Sequence, residues 1–409
     1  MNLSYSEAGN KGERVRSDCW VGINLTSVNG IKIELRSKVS AMYGNSIIDL
    51  LNDMMAFFEI NNAEIEIEDS GAIPFVIMAR VESAVRKLGL DKEKKYLEEM
   101  KHPVISSSRN RLRRSRLYLP GDQPKLFLNA AIHNADGLIL DLEDSVHPGK
   151  KDDARILVRN ALRSMDFMGS EKMVRINQIP LGYKDLEEVL PQKMDLILIP
   201  KVENQEQIQE IDKKVDEIFS SIDSKKTGDV FFMPIIESAL GTINAYSIAK
   251  ASKRNVALAI GLEDYTADIG TQRTNEGKES FFARSMVVNA AKAAEIQAID
   301  TVFSDVSDMD GLRESSIEAK SLGFDGKGCI HPRQIAIVNK AFIPDKKEIE
   351  KAKKIVVAFE KAEKLGLGVV SLGSKMIDPP VVKRALRTIE IVRKEGIIPE
   401  NWRDEYEKI

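Results

Sequence analysis

Glu237 in PIIESALG and Asp264 in AIGLEDYTADIG each stand just beyond a short apolar run that reads as a buried strand. In barrels and open α/β sheets the chemistry sits past the carboxyl ends of the strands. Two carboxylates there, on consecutive strands, suit a hard divalent cation that keeps positions open for substrate oxygens. Other charged residues occupy equivalent places: Asp141, Glu143 and Asp144 in LDLEDSV, Arg175 in VRIN, Lys201 in IPKV and His331 in GCIHP. Taken singly, each reads as a solvated loop residue or a helix cap. Gathered on one face, the acids beside an Arg and a Lys would bind an anionic substrate held partly by Mg²⁺.

Such convergence needs a scaffold. From Ser115 onward the chain repeats strand, loop and helix, with strand candidates RLYLP, GLILD, MVRIN, LILIP, VFFMPII, ALAIG, IDTVFSD and DGKGCIH. This is the count of a (β/α)8 TIM barrel, an α/β fold, with a doubly wound sheet as the competing architecture. The near-continuous apolar strands fit a sheet covered on both faces. The barrel is expected over residues 114–345 and a C-terminal helical extension over 346–409, around the Gly-rich turn LGLGVVSLGSKMIDPP. Residues 1–90 read as a small α+β domain. In it CWVGINLTS and GIKIELRS would form a hairpin through Val28-Asn29-Gly30, followed by a helix over Ser46–Glu59, the strand AEIEIED and a helix over Pro74–Leu88. Residues 91–113, charged and poorly patterned, read as a linker.

Composition narrows the function classes. Lys and Arg number 60 against 63 Asp and Glu, so no global field points to nucleic acid or an anionic membrane. The RNRLRRSR cluster reads as a solvated linker or a phosphate-handling edge of the barrel rather than an RNA contact. Cys19 and Cys329, the two cysteines, imply no disulfide framework and make a reducing cytoplasm the expected compartment. Four histidines without a spaced pair argue against zinc. The N-terminal MNLSYSEAGNKGERVR has no apolar signal-peptide core, no run is long enough to span a bilayer, and no Walker-type loop occurs.

The motifs RSRLYLPGDQPK, ADGLILDLEDSV, VRIN, LILIPKVE, PIIESALG, AIGLEDY, GFDGKGCIHPRQ and GLGVVSLGSKMID occur in that order. Together they resemble the citrate lyase β subunit and its HpcH/HpaI-type relatives, the malyl- and citramalyl-CoA lyases. The resemblance implies a Mg²⁺-dependent TIM barrel that cleaves 3-hydroxy-acyl thioesters. It implies metal ligation by Glu237 and Asp264, a supporting carboxylate shell of Glu143 and Asp144 at the substrate, and a substrate- or enolate-stabilising Arg175. It also implies a catalytic acid/base at Asp378 that reaches a neighbouring subunit's site, hence a homo-oligomer, a trimer or larger. Arg116, Lys201 and His331 would lie near the thioester arm. From its local sequence alone, Asp378 would equally cap the helix beginning PPVVKRAL.

The first domain carries Ala8-Gly9, a Ser-Asp pair before a strand, SKVSAMYG and EDSGAIPFVIMARVESAV. These resemble the citrate lyase γ subunit, an acyl carrier protein with a covalent phosphoribosyl-dephospho-CoA arm. In that family the attachment serine lies two residues before the Asp, where this chain has Arg16. Ser17 is therefore the candidate attachment residue, with a turn-capping serine as the plain alternative. Cys19 reads as simply buried. The resemblance implies a lyase cleaving a citryl-type thioester to oxaloacetate and an acetyl thioester, with an α-type acyltransferase subunit as partner. A lyase acting on free citramalyl-, malyl- or methylmalyl-CoA, its first domain serving for docking, is the alternative.

Overall fold

A computed structural model of the chain describes residues 4–90, 94–100, 107–222, 229–364, 370–372 and 375–404. In AEIEIED, strict alternation buries Ala63, Ile65 and Ile67 and turns Glu64 and Glu66 outward. The first domain comprises β1 (Tyr5–Gly9), β2 (Cys19–Leu25), β3 (Ile31–Ser37), α1 (Ser40–Phe57), β4 (Ala63–Asp69) and α2 (Pro74–Lys87). Its sheet order is β1-β2-β4-β3. The expected β2–β3 hairpin is therefore not formed. Asn29 and Gly30 do turn, both at positive φ, but β4 lies between the two strands, antiparallel to β2 and parallel to β3. The fully apolar face of β4 belongs at the centre, over Leu51, Met54, Val81 and Val85, whereas the half-exposed β3 suits an edge.

Eight parallel strands follow: β5 (Ser115–Pro120), β6 (Gly137–Asp141), β7 (Glu171–Arg175), β8 (Leu196–Ile199), β9 (Phe231–Ile236), β10 (Ala257–Ile260), β11 (Gln297–Asp300) and β12 (Gly326–Cys329). They form a closed barrel, sealed where Lys327 and Cys329 pair with Ser115 and Leu117. The strands expected from sequence are all present. The seventh sits earlier than IDTVFSD suggested: it is QAID, and the apolar residues after Asp300 leave the sheet.

The outer layer is built from α3 (Pro124–Phe127), α4 (Lys151–Ser164), α5 (Leu181–Val189), α6 (Gln205–Ser221), α7 (Ala239–Ile243), α8 (Ala245–Lys250), α9 (Leu262–Asp268), α10 (Phe281–Ala293), α11 (Met309–Leu322) and α12 (Pro332–Phe342). Strand β6 shows why the runs are continuously apolar. Ile139 points into the barrel with Met173, Leu198, Met233 and Ile235, while Leu138 and Leu140 pack under the helices.

The first domain is docked, not loosely tethered. Helix α2 lies on α4, and its Phe75, Val76 and Ala79 join the barrel's apolar layer. Within that contact Arg159 and Glu82 form a fully buried pair at 2.7 Å. Arg80 forks onto Asp18 and also donates to the backbone carbonyl of Asp122, 3.3 Å away. In the arginine cluster, Ser108, Arg109 and Asn110 are exposed, as a solvated linker would be, whereas the arginines that follow are not. Arg113 is fully buried against Glu171 and Gln297, and Arg114 forks onto Asp136, closing the end of the barrel where the strands begin. Residues 91–93 and 101–106 of the expected linker lie outside the described residues.

Past the barrel come α13 (Lys346–Lys364), a small hairpin of β13 (Val370–Leu372) and β14 (Lys375–Ile377), and α14 (Pro379–Lys394). Val356, Ile389, Val392 and the fully buried Trp402 form their core. Much of the expected Gly-rich turn lies outside the described residues. Among the described residues no helix is long and apolar enough to cross a membrane.

Candidate active site

Side chains in a strand alternate, so every second residue faces the barrel interior. On β6, β7 and β9 the inward apolar residues are Ile139, Met173 and Ile235. The next inward positions are Asp141, Arg175 and Glu237, at the carboxyl ends, and they line one cavity of about 340 Å³. Asp264 joins from the first turn of α9, and Tyr118 and Arg116 from β5. A second, polar cavity of about 500 Å³ adjoins it through Leu262, Glu263, Asp300 and Thr301.

Arg175 is held by a bidentate pair to Asp141 at 2.6 and 2.8 Å, and its Nη1 reaches Glu143 at 2.9 Å. Its guanidinium lies 5.4 Å from the centre of the Tyr118 ring. Lys201 Nζ lies 3.2 Å from Glu143, 3.4 Å from Asp144 and 3.6 Å from Asp264. Lys201 itself takes a left-handed backbone, φ 51°, and in that conformation its N–H donates to Glu237 Oε1 at 2.7 Å. A non-glycine residue in this region is strained, and such strain concentrates at functional sites. Gly261 makes room for the same carboxylate: a Cβ there would stand 2.4 Å from Glu237 Oε2.

Acids crowd this end of the barrel. Asp141, Glu143, Asp144, Glu237 and Asp264 stand around Arg175 and Lys201, with Lys151 near the first three and Arg116 deeper in the same cavity. Burial, with Asp264 and Glu143 nearby, pushes Glu237 up to about 8 despite the Lys201 N–H. Burial also raises Glu143, against the pull of Arg175. Asp144 is pushed up by burial too, but its hydrogen bond with Glu143 and the charges of Arg175 and Lys201 prevail and hold it low. For Lys201 burial is outweighed by Glu143, Asp144 and Asp264, which keep the ammonium charged. Among the described residues no group of three or more His, Cys, Asp or Glu side chains is arranged around a metal. Mg²⁺ does not need one: it is commonly bound by one or two carboxylates plus substrate and water oxygens. The buried Glu237 and the open Asp264 fit it.

The other expected residues fall as follows. His331 begins α12, and its Nδ1 accepts the Arg333 N–H as a cap. Arg116 is not on a rim where a thioester arm would pass; it is buried inside the barrel. Asp378 caps α14 by accepting the Val381 N–H, and makes no hydrogen bond or ion pair with Arg175, Glu237 or Asp264. Helix α14 packs where the strands begin, through Arg387 with Asp325 and Glu395 with Arg114. Ser17 is partly exposed at φ 54°, its N–H bonded to Ser70 O at 2.9 Å. Its loop is moored on the cavity side of the barrel. Asp18 is tied through Arg80 to Asp122, beyond β5, and Asn10 accepts from Lys150, beyond β6. Sequence reasoning missed Tyr118, Gly261 and Asp300, and noted Asp141 without its role. Asp300 is fully buried between Arg284 and Lys327. Inward alternation from Asp141, Arg175 and Glu237 was the available signal for Tyr118 and Gly261.

Comparison with known proteins agrees with this geometry. Residues 11–88 match the acyl carrier family model described as malonate decarboxylase delta subunit (MdcD). The citrate lyase subunit beta of Leuconostoc mesenteroides is 39% identical over 290 residues, covering 70% of this chain and 96% of that protein. Human mitochondrial citramalyl-CoA lyase is 33% identical, covering 68% and 85%. A structure of Mycobacterium tuberculosis CitE with magnesium, acetoacetate and coenzyme A superposes with a TM-score of 0.56 at 29% identity, covering 69% of this chain and 98% of that one. Residues 114–332, more than half of the chain, match the family described as HpcH/HpaI aldolase/citrate lyase, and the chain belongs to that family of carbon–carbon lyases.

Proposed function

We propose that the chain cleaves a citryl-type 3-hydroxy-acyl thioester into oxaloacetate and an acetyl thioester, with the substrate carried on its own first domain. The observation that carries the reading is the convergence of Glu237, Asp264, Arg175 and Lys201 on one cavity at the carboxyl ends of the strands. Glu237 and Asp264 would hold Mg²⁺, with Glu143 and Asp144 fixing the two cations beside them. The bound ion would lower the effective pKa of the tertiary alcohol and polarise the forming keto oxygen. Arg175 is preorganised by Asp141, and its remaining N–H groups are available to a substrate carboxylate or enolate oxygen, where fixed donors count most. Lys201 adds positive charge over the same space.

Asp378 of a neighbouring copy would exchange the proton at the departing acetyl carbon, a contribution typically worth ~10²–10⁴-fold in rate. Its place at the start of α14, away from the cavity of its own barrel, supports a role across subunits. So do the exposed Leu240, Ile243, Tyr246, Phe281 and Phe282 on α7, α8 and α10, apolar surface that a second copy would cover. The mooring of the Ser17 loop on the cavity side supports delivery of an arm from Ser17 to the same barrel, at high effective concentration. Loading that arm needs an acyltransferase partner of the α type.

Replacing Asp264 by Ala should abolish Mg²⁺-dependent release of keto acid; activity retained in the variant, or in EDTA, would remove the metal role. The second reading, a lyase on free CoA esters, is favoured by the likeness to citramalyl-CoA lyase. Intact mass of protein from its native host separates the two: an added phosphopantetheine-type arm on Ser17 supports the carrier, whereas unmodified protein that cleaves a free CoA ester supports the second.

A further inference from the structure

Among the described residues, the buried cations of this barrel have carboxylate partners, with one exception. Arg113 forks onto Glu171, Arg159 onto Glu82, Arg284 onto Asp300, and Lys327 reaches the same Asp300. Arg116 is just as deep, 1% exposed, yet among the described residues it has no carboxylate within ion-pair distance. Its Nη1 donates to the sulfur of Met233 at 2.8 Å, and its buried Nε has no partner among the described residues. Glu171, the nearby acid, is already taken by Arg113 and Ser107. A guanidinium does not lose its proton in a protein, so a full positive charge is held there with no ion-pair partner among the described residues.

The cavity leads to it. Arg116 faces inward on β5, two residues before Tyr118 and so about 7 Å deeper along the strand. The wall between the carboxylates and Arg116 is lined by Ile235, Ala259 and Gly328. Gly328 keeps it open, since a Cβ there would come within 2.6 Å of Val302 and 3.4 Å of Tyr118. An unpaired guanidinium at the foot of an otherwise apolar shaft is a receptor for an anion that enters with its chain extended.

We propose that Arg116 binds the terminal carboxylate of a carboxymethyl arm on the hydroxy acid, and so makes this a site for citryl-type rather than citramalyl- or malyl-type thioesters. The inference rests on the lyase reading above and adds the residue that would select its substrate. With the hydroxyl and its adjacent carboxylate held at Glu237 and Asp264, the third substituent of the tertiary carbon points down the shaft. In a citryl group that substituent ends in a carboxylate. In a citramalyl group it is methyl and in a malyl group hydrogen, and either would leave Arg116 unpaired. Arg116 is thus a specificity residue that touches the substrate away from the breaking bond.

The test is equilibrium binding by calorimetry to the full chain with Mg²⁺, using oxaloacetate and pyruvate, which differ only by that carboxylate. Wild-type protein should bind oxaloacetate roughly 10- to 100-fold more tightly than pyruvate, the strength of a charge-assisted pair. Arg116→Met, whose apolar side chain suits Met173 and Met233, should bring the two affinities within about threefold while leaving Mg²⁺ and pyruvate binding unchanged. A wild-type ratio below about threefold, or a ratio that survives Arg116→Met, overturns the proposal. The wild-type arm needs no variant to fold. Protein that binds Mg²⁺ and neither keto acid would instead overturn the lyase reading beneath it.

Discussion

Gly261→Ala isolates the metal site from the fold. The residue sits at φ −110°, ψ 107°, a conformation alanine adopts freely, so the backbone is not strained by the change. The added Cβ would lie 2.4 Å from Glu237 Oε2 and 3.1 Å from Glu237 Cβ, where ordinary contact begins at 3.4 Å. The carboxylate oxygen must therefore retreat by about 1 Å, a movement the flexible Glu237 side chain can make. Metal ligands tolerate only about 0.2 Å. The variant should lose roughly 10- to 100-fold in Mg²⁺ affinity, as when the support of a ligand is removed, and about 100-fold in rate. Alanine is a poorer N-cap than glycine, so stability should fall by no more than about 1 kcal/mol. Calorimetric Mg²⁺ titration beside thermal unfolding separates the two effects. A folded Gly261→Ala protein with wild-type Mg²⁺ affinity would refute the assignment of Glu237 as a ligand.

If Asp378 acts across subunits, Asp264→Ala and Asp378→Asn proteins, each inactive alone, should regain part of the activity when dissociated and reassembled together; mixtures that stay inactive while forming mixed oligomers would count against it. The docked first domain predicts an acid-sensitive contact. Glu188 is buried, yet Arg159, Arg86 and Lys95 together hold it down to about 2 from an ordinary 4.5. Its stabilisation, about 3 kcal/mol, is complete above pH 4.5 and is lost as pH falls toward 2. Urea unfolding from pH 7 to pH 3 should show Glu188→Gln converging on wild type in acid; a difference independent of pH would contradict the charge-based origin.

The barrel was legible because parallel strands buried on both faces leave continuous apolar runs between helices. Glu237, Asp264, Asp141, Glu143, Asp144, Arg175 and Lys201 were legible for a related reason, since each stands at or just past the end of such a run, and the structure does gather them. What the sequence hid depends on distant partners. The order of β2, β4 and β3 is set by burial of β4, which no local turn signal at Asn29-Gly30 reveals. Arg113 looks like part of a solvated charge run until Glu171 and Gln297, far along the chain, are brought to it. Arg116 differs from its neighbours in finding no such partner among the described residues, and spacing alone cannot show that.

Keto-acid release by the purified full-length chain from citryl-, citramalyl- and malyl-CoA, with Mg²⁺ and then with EDTA, tests lyase chemistry at Glu237 and Asp264 most directly. The expected result is oxaloacetate from the citryl thioester as the fastest reaction, abolished by EDTA and restored by Mg²⁺. Absence of keto acid from all three thioesters, or release that EDTA leaves unchanged, would contradict it.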